Sequence, residues 1–95
     1  MYVRLTNYQV DPAHLDDLNA RLDGIKLKLK QLPGVIDIYT AWRNNGEGVT
    51  MAVYASQADA EAATPHVKDI WSELSNLLTS PPSMHIYENV EHLTA

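Results

Sequence analysis

The chain alternates between two hydrophobic periodicities in a definite order, and this order constrains its fold more than any other feature. A period of two residues, typical of β-strands, covers four stretches: 2–10, 35–43, 48–55 and 83–90. A helical period of 3.6 residues covers two stretches, 12–32 and 65–79. A short helical turn at 57–63 precedes the second helix. The pattern predicts the element order βαββαβ.

The first helix carries the clearest of these patterns. Its apolar residues recur at steps of three and four: Leu15, Leu18, Leu22, Ile25, Leu29 and Leu32. Asp11 is a good N-cap acceptor, and Pro12 suits the first helical position because its missing N–H costs nothing there. Pro33 and Gly34 follow the last apolar residue and end the helix. We expect one amphipathic helix that buries its apolar stripe.

An element order of βαββαβ folds as a four-stranded antiparallel sheet with both helices on one face, because right-handed crossovers place them there. This is the ferredoxin-like α+β fold. The middle strands carry apolar side chains on both faces, as the alternation along the second strand illustrates: Ile36, Ile38 and Trp42 against Val35, Tyr39 and Ala41. Helices on one side would leave the other face as a large apolar patch. We therefore expect a homodimer whose sheets pack face to face.

Composition excludes several classes of function. A chain of 95 residues is expected to form one domain, and its net charge of −5 disfavours nucleic acid as a partner. There is no cysteine, and the four histidines lack the spacing of metal ligands, so no metal site is predicted. No run of about 18 apolar residues is present to span a membrane. We expect a cytoplasmic protein without a membrane partner.

Three short motifs resemble one known group of proteins. They are TPHVKDIW at 64–71, LPGV at 32–35 and IYENV at 86–90. Over all 95 residues the chain resembles dimeric α/β-barrel proteins of the antibiotic-biosynthesis-monooxygenase-like superfamily. The resemblance implies a single dimeric α/β-barrel domain over 1–95 and a cofactor-independent monooxygenase that acts on a small phenol- or quinol-like aromatic substrate. It also implies a pocket between the helices and the sheet.

Three residues are the candidates for that pocket. Asn7 follows Val3 and Leu5 in the apolar phase of the first strand, so we expect its amide to face the cavity and orient a substrate oxygen. His66 stands near the predicted start of the second helix, and histidine is the natural base at neutral pH. Trp71 lies on the apolar stripe of that helix as a wall against the substrate. Asn7 and His66 are thus the catalytic candidates, and Trp71 and Asn7 the substrate-binding ones.

Structural roles and other functions compete with this hypothesis. His66 can be a solvated helix residue, Trp71 a core residue and Asn7 a strand-end amide bonded to a loop. The main alternative is a non-enzymatic small-molecule-binding or stress-associated dimeric module, in which side chains fill the pocket. A haem-degrading enzyme has less support, because Asp69, Ile70 and Trp71 stand where the resemblance would require an iron-binding histidine. A cavity of about 300 Å³ or more would favour a ligand site.

Overall fold

The computed structural model describes residues 1–95. The strands are β1 Tyr2–Gln9, β2 Val35–Trp42, β3 Glu47–Tyr54 and β4 Ser83–Tyr87. The helices are α1 Leu15–Lys30 and α2 Gln57–Glu73, and two short 3₁₀ turns stand beside them at Pro12–His14 and Ser75–Leu77. The predicted order βαββαβ is confirmed.

The four strands form one antiparallel sheet in the order β2-β3-β1-β4. Both helices lie on the same face of this sheet, because residues of α1 and α2 and one phase of the strands line a common space. This arrangement is the predicted ferredoxin-like α+β fold. None of the helices has the length and apolar character needed to cross a membrane.

Two glycines allow the tight turns that connect these elements. Gly34, after α1, has a φ of 74°, and Gly46, in the β2–β3 turn, has a φ of 91°. Both angles lie in the left-handed region that glycine adopts without steric cost. A Cβ on Gly46 would overlap the carbonyl oxygen of Val10, whose amide donates to the Gly46 carbonyl over 2.9 Å. The hairpin turn is thereby held against the end of β1.

The second helix is longer at its start than the sequence predicts. The predicted turn at 57–63 and helix at 65–79 are wrong as separate elements, because α2 runs without a break through Pro65. Ser56 caps its start by accepting from the Asp59 amide over 3.2 Å. Pro65 removes the N–H that would bond to the carbonyl of Glu61, four residues earlier. Glu61 is exposed, so the missing bond does not leave its carbonyl in a dry interior, and the helix continues.

The sheet presents two different faces. On β1, the helix-facing side chains are Arg4, Thr6 and Tyr8, all of which are buried. The apolar core on this side falls into two clusters. The first consists of Tyr8, Val10, Leu18, Ile70, Leu74 and Leu77. The second consists of Ala52, Tyr54, Ala60 and Ala63. A cavity separates the sheet from the helices between these clusters.

No helix covers the opposite face of the sheet. Large apolar side chains are exposed there, including Tyr39 at 68%, Tyr87 at 49% and Met51 at 43%. They share one phase of the sheet. Tyr39 on β2 pairs with Met51 on β3, Met51 pairs with Leu5 on β1, and Val3 in the same phase of β1 pairs with Tyr87 on β4. We refer to this surface, which also carries Leu5 and Asn7, as the open face.

Candidate ligand site between the sheet and the helices

A cavity of about 390 Å³ lies between the sheet and the two helices. Of its 22 lining residues, 17 are hydrophobic, so the site favours an apolar molecule. The volume is within the range of small-molecule sites, which begins at about 300 Å³. Its wall combines residues of β1, β2 and β3 with residues from both helices. Three features give the cavity chemical character: an aromatic end, a hydroxyl cluster and a buried arginine.

The aromatic end is formed by Tyr8, Trp71 and Trp42. The rings of Tyr8 and Trp71 have centroids 5.1 Å apart and planes inclined by 48°. This tilted arrangement is one that aromatic pairs favour electrostatically. Trp71 is only half-buried by the protein itself, so part of its surface is available to a molecule in the cavity. A flat aromatic ligand would find matching walls here.

The hydroxyl cluster joins Tyr8 on β1 to Thr50 on β3 and Thr40 on β2. The Tyr8 and Thr40 oxygens are 2.7 Å apart, Thr50 donates to Thr40 over 3.0 Å, and Thr40 donates to the Val49 carbonyl over 3.3 Å. A threonine hydroxyl has one proton to donate. Either oxygen can donate in the shorter bond of 2.7 Å between Tyr8 and Thr40. Where Thr40 keeps its proton on Val49, Tyr8 donates, and the lone pairs of the Tyr8 oxygen are left for a ligand hydroxyl.

The other end of the cavity contains the guanidinium group of Arg4, which is only 4% exposed. Its Nη1 donates to the Tyr54 hydroxyl over 2.8 Å, and its Nη2 donates to the Ala60 carbonyl over 3.0 Å and to Thr64 Oγ1 over 2.6 Å. The guanidinium carbon lies 5.3 Å from the centroid of the Tyr54 ring, within the range of a cation–π contact. These acceptors are all uncharged.

Burial changes the ionisation of both tyrosines in the site. It raises the pKa of Tyr8, and the hydrogen bond with Thr40 opposes this effect. It also raises the pKa of Tyr54, and the positive charge of Arg4 opposes it there. Because the unperturbed pKa of tyrosine is already about 10, both phenols are protonated at neutral pH. They serve as neutral hydrogen-bonding groups in the cavity.

The structure does not bring Asn7 and His66 together. The predicted orientation of Asn7 is wrong, because Asn7 is exposed on the open face and the alternate residues of β1 line the cavity. His66 is exposed in the middle of α2, where it lines a surface groove with Lys28 and Pro33. Trp71 does line the cavity, from α2. The space predicted to be shared by Asn7 and His66 therefore does not exist in this chain.

The error for Asn7 is one of phase. A strand shows alternate residues to opposite faces, so assigning the wrong phase inverts every side chain. The prediction placed the more apolar phase of β1 towards the helices, whereas the phase with Arg4, Thr6 and Tyr8 lies there. The polar side chains of the cavity wall that sequence reasoning missed include Arg4, Tyr8 and Thr40. A threonine recurs beside them on β1, β2 and β3, at Thr6, Thr40 and Thr50, but only the strand register shows that these align.

Solved structures share this fold over nearly their whole length. An antibiotic biosynthesis monooxygenase matches 96% of this chain and 100% of its own at 14% identity, with a TM-score of 0.77. The monooxygenase of the ActVA-Orf6 gene of Streptomyces coelicolor, in complex with nanaomycin D, matches 97% of this chain and 89% of its own at 20% identity, with a TM-score of 0.75. A variant of SnoaB, a cofactor-independent oxygenase from Streptomyces nogalater, matches 99% and 97% at 17% identity, with a TM-score of 0.71.

These likenesses define the class of fold. The chain has the ferredoxin-like fold of the antibiotic-biosynthesis-monooxygenase type, and the resemblance predicted from the sequence motifs is confirmed at the level of the fold. No protein-family profile matches the chain, and no curated protein matches its sequence. At identities of 20% or less, the shared property is the fold, since one fold supports many activities.

Proposed function

We propose that the protein is a cofactor-independent monooxygenase that oxidises a small phenol- or quinol-like aromatic molecule in the central cavity. The observation that carries this proposal is the combination of aromatic walls with a hydroxyl cluster inside one cavity of about 390 Å³. The proteins of similar fold named above as monooxygenases or oxygenases, one of them in complex with nanaomycin D, support it as an analogy.

A cofactor-independent oxygenation requires few groups from the protein. In such a reaction the ionised substrate itself gives electrons to dioxygen, so that one oxygen atom enters the ring and the other leaves as water. The protein must exclude bulk water, hold the ring and stabilise negative charge on the substrate oxygen. Trp71 and Tyr8 would hold the ring. The positive charge of Arg4 would favour the ionised form of a substrate bound in the same cavity.

A non-enzymatic binding module is the second candidate, and one observation favours it. The cavity wall contains no histidine and no carboxylate. Burial raises the pKa of Tyr8 and of Tyr54, so neither of these tyrosines supplies a base near neutral pH. Without a base in the wall, the monooxygenase proposal requires a substrate whose own hydroxyl ionises readily. A protein that only binds its ligand needs no base. Haem degradation finds no support, since no histidine faces the cavity.

We also propose that the protein is a homodimer that packs two open faces together. The exposed side chains of Tyr39, Met51 and Tyr87 support this, because isolated monomers rarely leave such a contiguous apolar surface uncovered. A stable sheet-to-sheet interface would bury more than about 1,000 Å² in total. The central cavity lies on the other side of the sheet, so dimerisation would leave it accessible from the helical side.

Oxygen consumption tests the enzymatic proposal directly. Purified protein is incubated with a panel of dihydroxynaphthalenes and hydroquinones under ¹⁸O₂, and oxygen uptake and the incorporation of one ¹⁸O atom into the product are measured against buffer alone. Trp71→Ala and Tyr8→Phe should lower turnover, because they alter the ring wall and the hydroxyl cluster. Tyr87→Phe is the matched control, since it removes a tyrosine hydroxyl outside the cavity. Binding without turnover above the buffer rate would favour the non-enzymatic module.

A further inference from the structure

The positive charge of Arg4 has no counter-charge in the protein. Arg4 is 4% exposed, and none of the four ion pairs in the structure includes it. A buried ion is costly unless an opposite charge or several hydrogen bonds compensate it. Most proteins pair such a group with a carboxylate. Arg4 is instead held by neutral oxygens and the face of Tyr54.

The hydrogen-bonding capacity of Arg4 is also incompletely used. A guanidinium group has five N–H donors, and three of them reach protein acceptors. No fully enclosed side-chain nitrogen or oxygen in the structure lacks a partner. Nε of Arg4 has no protein acceptor and is therefore not fully enclosed, and Arg4 lines the cavity. Tyr54 cannot supply the missing negative charge, because burial raises its pKa and keeps its phenol neutral.

The remaining charges of the wall have the same sign. Arg4 and Lys26 are the charged residues among those that line the cavity, and no aspartate or glutamate accompanies them. This is notable in a chain whose net charge is −5. Lys26 lies at the solvent side with its side chain 66% exposed, and it already has Asp23 at 3.7 Å. The uncompensated charge inside the cavity is thus that of Arg4.

We propose that the cavity binds an aromatic carboxylate, with the carboxylate on Arg4 and the ring against the packed pair of Tyr8 and Trp71. This inference deepens the proposed function and rests on the cavity being a ligand site. A carboxylate is ionised at neutral pH, whereas a simple phenol is not, so it matches a permanent cation. Arg4 and Tyr8 are four residues apart on β1, or about 13 Å, which leaves room for a ring system away from the acid group.

Two probes of the same shape test the proposal: 2-naphthoate and the uncharged 2-naphthamide. Their affinities are measured by calorimetry at about 0.15 M salt. The wild-type protein should bind 2-naphthoate at least about tenfold more tightly, as expected for a charge-assisted hydrogen bond to a buried guanidinium group. In ¹⁵N-labelled protein, the Arg4 Nε–H resonance should shift with 2-naphthoate and much less with 2-naphthamide.

Variants assign the preference to Arg4. Arg4→Met and Arg4→Gln should bind both probes alike, and Arg43→Met, which removes a guanidinium that is 79% exposed, should keep the wild-type preference. Circular dichroism shows whether each variant folds. If the Arg4 variants do not fold, the comparison of the two probes on the wild type still tests the preference for a carboxylate.

Three results would overturn the inference. Equal affinity of the wild type for the two probes would reject the carboxylate and leave the proposed aromatic site intact. A preference that survives in folded Arg4→Met or Arg4→Gln would make Arg4 a structural tie between β1 and α2. If neither probe binds, the cavity is not a site for aromatic molecules, and the proposed function fails with the inference.

Discussion

Replacing Tyr8 by phenylalanine removes one hydroxyl and leaves the ring in place. The ring of Tyr8 would still pack on Trp71, and Thr40 would still accept from Thr50 and donate to Val49. The loss is one hydrogen bond of 2.7 Å in a partly buried site. Such a bond contributes about 1 kcal/mol to the free energy of unfolding. For a domain of this size the unfolding midpoint should fall by roughly 4–8 °C.

Tyr8→Ala provides the comparison for the ring. It removes a side chain that is only 8% exposed and leaves a larger cavity beside Trp71. Truncation of a buried aromatic residue costs about 3–5 kcal/mol. Urea and thermal unfolding, followed by circular dichroism, measure both variants under the same conditions. The two substitutions should differ by about 2–4 kcal/mol in the free energy of unfolding.

The same substitution separates a structural hydroxyl from a ligand-binding one. If Tyr8 donates to Thr40, its oxygen can accept a hydrogen bond from a ligand hydroxyl, so the wild type should bind 2-naphthol more tightly than 2-methoxynaphthalene. The expected ratio is about two- to tenfold, the value of one net hydrogen bond. Tyr8→Phe should abolish the ratio while both molecules still bind. An unchanged ratio in the variant, or a stability loss as large as that of Tyr8→Ala, would refute the assigned bond geometry.

Three further predictions follow from the described contacts. Burial raises the pKa of Tyr8 and of Tyr54, so the folded state holds their protons more tightly than the unfolded state. The free energy of unfolding should therefore be constant from neutral pH to about pH 9 and fall above about pH 10. Urea unfolding at each pH measures this free energy, and the absorbance of tyrosinate reports the ionisation of the tyrosines. Met51→Asp puts a charge at the centre of the open face and should convert the proposed homodimer to a folded monomer, which sedimentation measures; a wild type that is already monomeric at micromolar concentration would contradict the dimer. Asn7→Ala and His66→Ala should leave the affinity for 2-naphthol unchanged, because neither side chain lines the cavity, and a clear loss in either variant would return support to the assignment made from the sequence.

The sequence predicts this fold well because each element has its own local signal. The leucine stripe between Leu15 and Leu29 identifies α1, and the alternation along β1, β2 and β3 identifies the strands. Element order then restricts the topology, since right-handed crossovers leave few alternatives. Pro65 is the exception. Proline is a strong local signal for a helix start, but the cap at Ser56 and the solvent around Glu61 allow α2 to continue through it.

The sequence by itself determined the order of the elements, the sheet and the presence of apolar side chains on both faces of it. It also placed Trp71 on the apolar stripe of the second helix. The direction in which β1 faces was decided only by the tertiary structure, because alternation identifies two phases and does not say which one the helices cover. That choice puts Arg4 and Tyr8 inside and Asn7 outside. The site also depends on strand register, which brings Thr50 beside Thr40 and, through it, to the hydroxyl of Tyr8. Such contacts join residues far apart in the chain, so no local pattern encodes them.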